Sequence, residues 1–299
     1  MPKFGRLLTA MVTPFDEKGE VDYAQARKLA RALIWSGSDG LVVSGSTGEA
    51  PTLSVEEKLR LFAEVLDEVG HDACVIAGTG NYNTRESIEL TREAERLGMH
   101  GCLLVVPYYN RPTQEGMYRH FRAIAESCHL PCIMYNVPSR TSSNLGAETV
   151  IRLSEVDNII GVKEASGNLR QIAAIIERVP SDFLVYSGND GDTLHLMSMG
   201  GYGVVGVITH LVGLQTKDMM NKLLAGQTDE AAIIHLGLLQ LVDAMFLIGN
   251  PMPLKFAMNH LGFRVGAPRL PLCEPDKKTA ATILAILRKI HIDLPIPPK

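Results

Sequence analysis

The segment NIIGVKEASGN, residues 158–168, carries the most information about the fold. Its first half, IIGV, is continuously apolar, and a lysine, Lys163, stands near the end of this run. A strand that is apolar at successive positions is buried on both faces, which is typical of a parallel sheet covered by helices. The segment therefore predicts an interior parallel strand with a lysine at its carboxyl end.

Seven further runs of this kind occur in the first two-thirds of the chain. They are GRLLTAMVTP (5–14), GLVVSGS (40–46), ACVIAGTG (73–80), GCLLVVP (101–107), PCIMYNVP (131–138), FLVYSGND (183–190) and YGVVGVIT (202–209). Amphipathic helical patterns lie between them, for example after the N-cap residues Ser54 and Asn83. Eight strand-helix units favour an α/β fold of the (β/α)8 TIM-barrel type over an open doubly wound sheet, and we assign the catalytic barrel to residues 1–226.

The remaining residues, 227–299, lack the strand pattern and predict a C-terminal helical appendage. Three helical segments are expected there, DEAAIIHLGLLQLVDAMFL, PMPLKFAMNHLG and PDKKTAATILAILRKI. The first belongs to the longest apolar stretch, which contains His235, Gln240 and Asp243 and is too polar to cross a membrane.

Composition excludes several classes of function. The chain has 299 residues and a formal net charge of −4, with no Lys/Arg block, which argues against a nucleic-acid or membrane partner. The five cysteines are odd in number, scattered and without a C-x-x-C pair, as expected of reduced thiols. The apolar run at the N-terminus is too short for a signal peptide, so a cytoplasmic location is expected.

Active sites of such barrels form at the carboxyl ends of the strands. Polar residues or glycines end every predicted strand, namely Thr13, Ser46 and Thr47, the segment GTGNYN (78–83), Tyr108 and Tyr109, Tyr135 and Arg140, Lys163, Gly188 and Thr209. We expect these groups to meet around one cavity.

Lys163 has two interpretations. Strand alternation places it on one face with Gly161 and Ala165, whose small side chains leave room for the amine, while Ile160 and Val162 take the other face. It could simply pair with Glu164 or extend to solvent. Alternatively, burial lowers its pKa and releases a free amine that attacks a ketone to form a Schiff base.

Three neighbouring groups suit that chemistry. Tyr135, on the adjacent strand at a similar height, could relay the protons that imine formation requires, or could merely pack. The glycine-rich turn SGSTGEAPTL offers backbone N–H groups and the Ser46 and Thr47 hydroxyls to a small carboxylate, or serves geometry alone. Aromatic packing could likewise explain Tyr108 and Tyr109.

Two other kinds of site are not favoured. The match GYGVVG, residues 201–206, to the dinucleotide-binding pattern lies within the last predicted strand, and no helix opens at its third glycine. The nine histidines are scattered, without the spacing of metal ligands. We therefore expect no cofactor and no metal.

Six motifs resemble the pyruvate-dependent class I aldolase superfamily, and most closely its dihydrodipicolinate synthase family. They occur in the family's order and spacing over nearly the whole chain, as GSTGEAPTL, PYYNRPTQEG, YNVPSRT, GVKEASG, YSGNDG and NPMPLKFAMNHLG. Arg140, in YNVPSRT, is the distinguishing residue, because sialic acid lyases keep the tyrosine and the lysine but not this arginine.

The resemblance implies a role for each site residue. Lys163 would carry pyruvate as an imine, which makes any cofactor unnecessary. Tyr135, Thr47 and Tyr109 would form a proton relay, Tyr109 being contributed across a dimer interface. The resemblance also implies a homotetramer built as a dimer of dimers.

Substrate contacts follow from the same resemblance. Ser46 and Thr47 would hold the pyruvate carboxylate, and the Gly188 carbonyl and Val205 would line the site. The enamine would add to the aldehyde of L-aspartate 4-semialdehyde, whose carboxylate Arg140 would bind. Cyclisation would then give 4-hydroxy-tetrahydrodipicolinate, an intermediate of lysine and diaminopimelate biosynthesis.

Some positions depart from the family. Ser46 stands where many relatives have threonine, and the ending of the eighth strand, with Thr209 and His210, is unusual. In lysine-inhibited relatives a histidine and an asparagine bind the inhibitor, and this chain has Lys58 and Tyr82 at the positions aligned with them. We expect weak inhibition by lysine or none.

Three other functions stay open. Another pyruvate aldolase, such as an N-acetylneuraminate or keto-sugar-acid lyase, would not need Arg140. A non-catalytic binder on an inherited barrel would lack a reactive Lys163. A dinucleotide-dependent oxidoreductase is opposed by the position of GYGVVG.

Overall fold

The computed structural model describes residues 4–296, which contain a closed barrel of eight parallel strands. The strands are β1 (Leu7–Ala10), β2 (Gly40–Val43), β3 (Cys74–Gly78), β4 (Gly101–Val105), β5 (Cys132–Asn136), β6 (Ile159–Glu164), β7 (Leu184–Ser187) and β8 (Gly203–Gly206). Each strand pairs with the next along the chain, and β8 pairs with β1. The predicted (β/α)8 barrel is confirmed.

Twelve α-helices are formed by the described residues. They are α1 (Tyr23–Trp35), α2 (Val55–Val69), α3 (Thr84–Arg96), α4 (Gln114–Ala125), α5 (Pro138–Thr141), α6 (Ala147–Leu153), α7 (Leu169–Arg178), α8 (Thr193–Ser198), α9 (Thr209–Leu224), α10 (Thr228–Met245), α11 (Met252–Leu261) and α12 (Lys277–Leu287). Short 3-10 turns cover Ala50–Thr52 and Asp190–Asp192. Between residues 4 and 296, no helix is long and apolar enough to cross a membrane.

The helix starts predicted from N-cap signals occur where expected. Ser54 caps α2 in a capping box with Glu57, since each side chain bonds the other's backbone N–H. The Asn83 side chain accepts from two backbone N–H groups of α3. These caps satisfy donors that the first turn of a helix leaves unpaired, which is why the helices begin there.

The face of β6 that carries Lys163 differs in one detail from simple alternation. Cys132 pairs with Ile159 and the next residue of β5 pairs with Gly161, so Ile160 is an extra residue in the ladder. Such a bulge shifts one side chain relative to its neighbours. Ile160 therefore packs against the barrel-interior cluster, which contains Ala165, whereas Val162 packs outside the barrel as predicted.

Thr209 and His210, which make the ending of the eighth strand unusual, connect the ends of β8 and β1. The Thr9 hydroxyl donates to that of Thr209 at 2.8 Å. The buried His210 accepts from the Val12 N–H at 3.1 Å through Nε2, and its Nδ1 lies 2.9 Å from the Val207 carbonyl oxygen. Both side chains therefore add hydrogen bonds between the first and the last strand segments of the barrel.

The C-terminal helices α10, α11 and α12 correspond to the three predicted segments. They share one hydrophobic core with the first barrel units, because Leu238 and Leu254 belong to the same buried cluster as Leu29 and Leu41. The predicted boundary at residue 226 falls between α9 and α10. The segment after α10 returns over the carboxyl ends of the strands, where the candidate site lies.

Candidate active site

A cavity of about 320 Å³ opens at the carboxyl ends of the strands. Its walls come from the loop after β2, from β5 and α5, and from two C-terminal stretches around Asn250 and Leu272. Of the predicted site residues, Ser46, Tyr135 and Arg140 line it. The position is the one that the strand-end argument predicted.

Lys163 lies against Tyr135, which lines this cavity. The two residues are paired across β5 and β6, and the Lys163 Nζ is 4.3 Å from the centre of the Tyr135 ring. Their side chains are 4% and 6% exposed, so water has little access to either polar group. Parallel pairing of two interior strands thus brings together an amine and a phenol from residues 28 positions apart.

The surroundings of Lys163 favour the neutral amine. Burial lowers its pKa from 10.5 to about 8, although the carboxylate of Asp190 opposes this effect. At neutral pH the free-amine fraction is then roughly three hundredfold that of an ordinary lysine. Only the unprotonated amine attacks a carbonyl carbon, so the site suits imine formation.

Glu164 does not pair with Lys163 among the ion pairs of residues 4–296. Its carboxylate points out of the barrel and accepts from Asn136 Nδ2 at 3.0 Å, from the Ser166 N–H at 2.7 Å and from Gln171 Nε2 at 3.1 Å. The simple pairing considered for Lys163 is therefore wrong. The network also fixes the carboxyl ends of β5 and β6 relative to each other.

The loop after β2 presents its hydroxyls beside Tyr135. Burial raises the pKa of the Tyr135 phenol, while Arg140 and a hydrogen bond with Ser46 oppose the rise. Thr47 is 3% exposed, and its hydroxyl accepts from Asn250 Nδ2 at 2.8 Å. The loop therefore places the Ser46 hydroxyl beside the phenol, while the Thr47 hydroxyl contacts Asn250.

Gly188 and Val205 lie near the lysine stem and in the barrel interior, respectively. A Cβ at Gly188 would stand 2.7 Å from the Cβ of Ala165 and 3.1 Å from two carbons of the Lys163 side chain. Any larger residue at position 188 would therefore displace the Lys163 side chain. Val205 is fully buried in the cluster that contains Tyr135.

Arg140 stands on the rim of the cavity and is exposed. Its Nη2 donates to the Asn250 carbonyl oxygen at 3.1 Å, which orients the guanidinium across the opening. A planar guanidinium held in this way can bind a carboxylate with two parallel hydrogen bonds.

Tyr109 does not enter the cavity of its own chain. It is 93% exposed and has a φ of +70°. Its neighbour Tyr108 does line the cavity and makes an edge-to-face contact with Tyr82, with 5.0 Å between ring centres. Ser46, Tyr108, Tyr135 and Arg140 therefore line the cavity, and Lys163 contacts Tyr135. The expectation that all strand-end groups meet there is wrong for Thr209, whose hydroxyl bonds that of Thr9 instead, and Tyr109 points away from its own cavity.

Two residues of the site were not singled out individually by sequence reasoning. Asn250 contacts both Thr47 and Arg140, and within residues 4–296 its Oδ1 is buried without a hydrogen-bond partner. Burial raises the pKa of Asp190 to about 6, and both of its carboxylate oxygens are 3.0 Å from the Val207 N–H. Both residues lie in quoted motifs, NPMPLKFAMNHLG and YSGNDG, which were the available signal.

A buried lysine beside a tyrosine at the end of barrel strands defines a class of barrel that can bind a ketone covalently. Residues 3–290 match the profile of the Dihydrodipicolinate synthetase family. The chain belongs to this family.

Individual relatives agree with this assignment. A protein of Dehalococcoides mccartyi named 4-hydroxy-tetrahydrodipicolinate synthase is 57% identical over 296 residues, which cover 99% of this chain and 100% of the relative. A crystal structure of dihydrodipicolinate synthase from Bacillus anthracis matches with a TM-score of 0.95 and 43% identity, covering 97% of this chain and 99% of that one. A lysine-bound structure from Cyanidioschyzon merolae has a TM-score of 0.94 and 44% identity, with coverages of 96% and 98%.

Proposed function

We propose that the protein is a lyase of the class I aldolase type that condenses pyruvate with L-aspartate 4-semialdehyde to give 4-hydroxy-tetrahydrodipicolinate. The observation that carries the proposal is the buried Lys163 amine held 4.3 Å from the Tyr135 ring. The names of full-length relatives favour this reaction over that of a sister lyase. The product belongs to lysine and diaminopimelate biosynthesis.

The reaction begins with the keto group of pyruvate. The Lys163 amine attacks the keto carbon, the carbinolamine loses water, and an imine forms. Ser46 and Thr47 bind the pyruvate carboxylate, while Tyr135 and Thr47 pass protons to the departing hydroxyl. Loss of a methyl proton from the imine gives an enamine, which is the carbon nucleophile. The covalent link to Lys163 supplies the electron sink, so this pathway uses no cofactor.

The second substrate enters from the rim. Arg140 binds the carboxylate of L-aspartate 4-semialdehyde and directs its aldehyde carbon toward the enamine. After the new carbon–carbon bond forms, the substrate's amine attacks the imine carbon and displaces Lys163, closing the ring. Gly188 and Val205 shape the space around the lysine during these steps.

A homotetramer arranged as a dimer of dimers is part of the proposal. It is supported by the exposure of Tyr109, which on this view enters the cavity of a neighbouring subunit and completes the relay with Thr47 and Tyr135. We also infer a cytoplasmic location, since the five cysteines are free thiols and a reducing compartment keeps thiols in that state.

Trapping the imine tests the central step. Borohydride reduction in the presence of pyruvate should leave one covalent adduct, on the peptide that contains Lys163. Lys163→Ala should abolish the adduct, and so should Lys163→Arg, because a guanidinium remains protonated. Exposed Lys28 provides a matched control, since Lys28→Ala should retain full labelling. An adduct on another lysine, or none, overturns the proposal.

Arg140 separates the synthase from its sister aldolases. Arg140→Ala should still form the pyruvate imine but lose roughly ten- to hundredfold in kcat/KM with L-aspartate 4-semialdehyde, since a charge-assisted contact contributes about 1.5 to 3 kcal/mol. Unchanged kinetics with this aldehyde, or better turnover of the native enzyme with the sugar aldehyde of a sialic acid lyase, would contradict the assignment.

Mixing two inactive variants tests the shared site. If Tyr109 acts across a dimer interface, a mixed dimer of Lys163→Ala and Tyr109→Phe subunits contains one intact site. Random reassociation should then restore about a quarter of wild-type activity, because half of the dimers are mixed and each has one working site of two. Absence of complementation, with mixed dimers demonstrated by mass spectrometry, would place Tyr109 outside the partner's site.

A further inference from the structure

Three cysteine thiols lie together at the amino-terminal end of the barrel, opposite the active-site cavity. Cys102 of β4 and Cys132 of β5 are paired across the sheet, and their Sγ atoms are 3.4 Å apart. Cys128 lies between them in sequence, in the turn after α4. The first two thiols are fully buried, whereas Cys128 is half-buried.

Cys128 connects the buried thiols with solvent. It lies on the wall of a surface cavity of about 580 Å³. The Nδ2 of Asn158 is 3.9 Å from the Sγ of Cys128 and 3.9 Å from that of Cys132, and it donates to the Leu130 carbonyl oxygen between them at 3.0 Å. Both sulfurs of the short segment CHLPC therefore lie within 3.9 Å of one side-chain nitrogen. A small oxidant in the cavity can reach Cys128 first.

Neighbouring groups and exposure distinguish the two thiols. The neighbouring Cys132 thiol lowers the pKa of Cys128, against the effect of burial; Arg92 adds to the lowering and Glu95 opposes it. The Cys102 thiol, 3.4 Å away, and burial raise the pKa of Cys132. Cys128 is also the thiol that reaches the cavity, so it becomes a thiolate more readily than the fully buried Cys132. A thiolate is the nucleophile in thiol chemistry, so Cys128 is the reactive member.

We propose that Cys128 and Cys132 form a peroxide-reactive dithiol site, in which Cys128 is oxidised first and Cys132 resolves it as a disulfide. This site is separate from the reaction at Lys163 and does not depend on the proposed function.

The chemistry balances with hydrogen peroxide as oxidant. The Cys128 thiolate attacks one peroxide oxygen, the O–O bond breaks, hydroxide leaves, and a sulfenic acid remains. The Cys132 sulfur then attacks the Cys128 sulfur, and the S–OH bond breaks with release of water, which takes up the Cys132 proton. The two sulfurs lose two electrons and the peroxide gains them.

Cys102 extends the site inward. Its Sγ, 3.4 Å from that of Cys132, can attack the new disulfide at Cys132 and release the Cys128 thiolate. The product would be a bond between β4 and β5. Either disulfide contains Cys132, and in either case peroxide first oxidises Cys128.

Mass spectrometry of the peroxide-treated protein tests the proposal. The exposed Cys273 would form bonds between molecules, so Cys273→Ser serves as the background for every sample. After peroxide treatment, alkylation of the remaining thiols and digestion, we expect a disulfide that joins Cys132 to Cys128 or to Cys102. Dithiothreitol should remove it. A fully alkylated Cys132 under conditions that oxidise Cys128 to higher acids would overturn the proposal.

Two variants assign the roles. In Cys128→Ser, the yield of any disulfide that contains Cys132 should fall at least about tenfold, because a fully buried thiol has little access to peroxide. In Cys132→Ala, dimedone should trap a sulfenic acid on Cys128, since the resolving thiol is gone. An undiminished disulfide between Cys102 and Cys132 in Cys128→Ser would refute entry through Cys128. These measurements need no catalytic activity.

Discussion

A fully buried ion pair between Lys255 and Glu49 provides the sharpest test of how the C-terminal helices support the site. The Lys255 Nζ is 2.9 Å from Glu49 Oε1, and neither side chain has exposed surface. The same amine donates to the carbonyl oxygens of Thr13 at 3.0 Å and Ala267 at 3.2 Å. Glu49 itself adopts a left-handed φ of +56°, two residues after Thr47. The helix α11 thus holds the loop that carries the two hydroxyls.

Replacing Lys255 by methionine removes the cation and leaves a carboxylate in a dry interior. Breaking a buried pair in this way costs about 3 to 5 kcal/mol, because the remaining charge has lost its compensation. Glu49 keeps one hydrogen bond, from the Arg269 N–H at 2.9 Å, which does not replace a full charge. We therefore expect the free energy of unfolding to fall by about 3 to 5 kcal/mol. The KM for pyruvate should rise more than kcat falls, since the carboxylate-binding loop loses its anchor.

Denaturant unfolding followed by circular dichroism, at one fixed subunit concentration, measures the effect. Lys28→Met, a change at an exposed lysine of α1, is the matched control and should alter the free energy by no more than about 0.5 kcal/mol. The double variant Glu49→Gln/Lys255→Met should be more stable than the sum of the single changes implies, because it leaves no unpaired charge. A Lys255→Met protein within about 1 kcal/mol of wild type would refute this account of the pair.

Three further predictions concern the site and the barrel seam. Gly188→Ala should reduce the rate of imine formation by an order of magnitude or more, since the new methyl displaces the lysine stem; normal borohydride labelling rates would contradict this. Burial lowers the pKa of His210 to about 4. The unfolded chain therefore binds more protons below its ordinary pKa of about 6.5, and stability should fall by up to about 3 kcal/mol as the pH drops from 6.5 to 4. Unfolding free energies of wild type and His210→Gln across that range test this, and the variant should have the shallower slope. L-Lysine at millimolar concentration should leave initial rates nearly unchanged, because Lys58 stands where inhibited relatives carry a histidine that binds the inhibitor. A cation about 6 Å from an ammonium group of the inhibitor costs roughly 1 to 3 kcal/mol, and clear saturable inhibition would show that Lys58 does not matter.

The amino-acid sequence alone determined the barrel, because its signals are local. Continuous apolar runs repeat at the spacing of one strand and one helix, and cap residues such as Ser54 and Asn83 mark helix starts by bonding N–H groups within one turn. The three C-terminal helices were predicted from the same periodicity. The positions of Lys163, Tyr135, Ser46 and Arg140 near one cavity followed from the rule that strand ends converge.

Tertiary structure decided what depends on contacts between distant segments. Asn250 reaches Thr47 across 203 positions of sequence, and Lys255 reaches Glu49 across 206, yet neither separation leaves a periodic pattern in the chain. The bulge that turns Ile160 inward depends on pairing with β5. The pKa of Lys163 depends on how completely the closed barrel excludes water, and burial is a property of the packed fold. Local sequence therefore specified the strands and the reactive residue types, while only the closed barrel set their distances, their exposure and the charges that surround them.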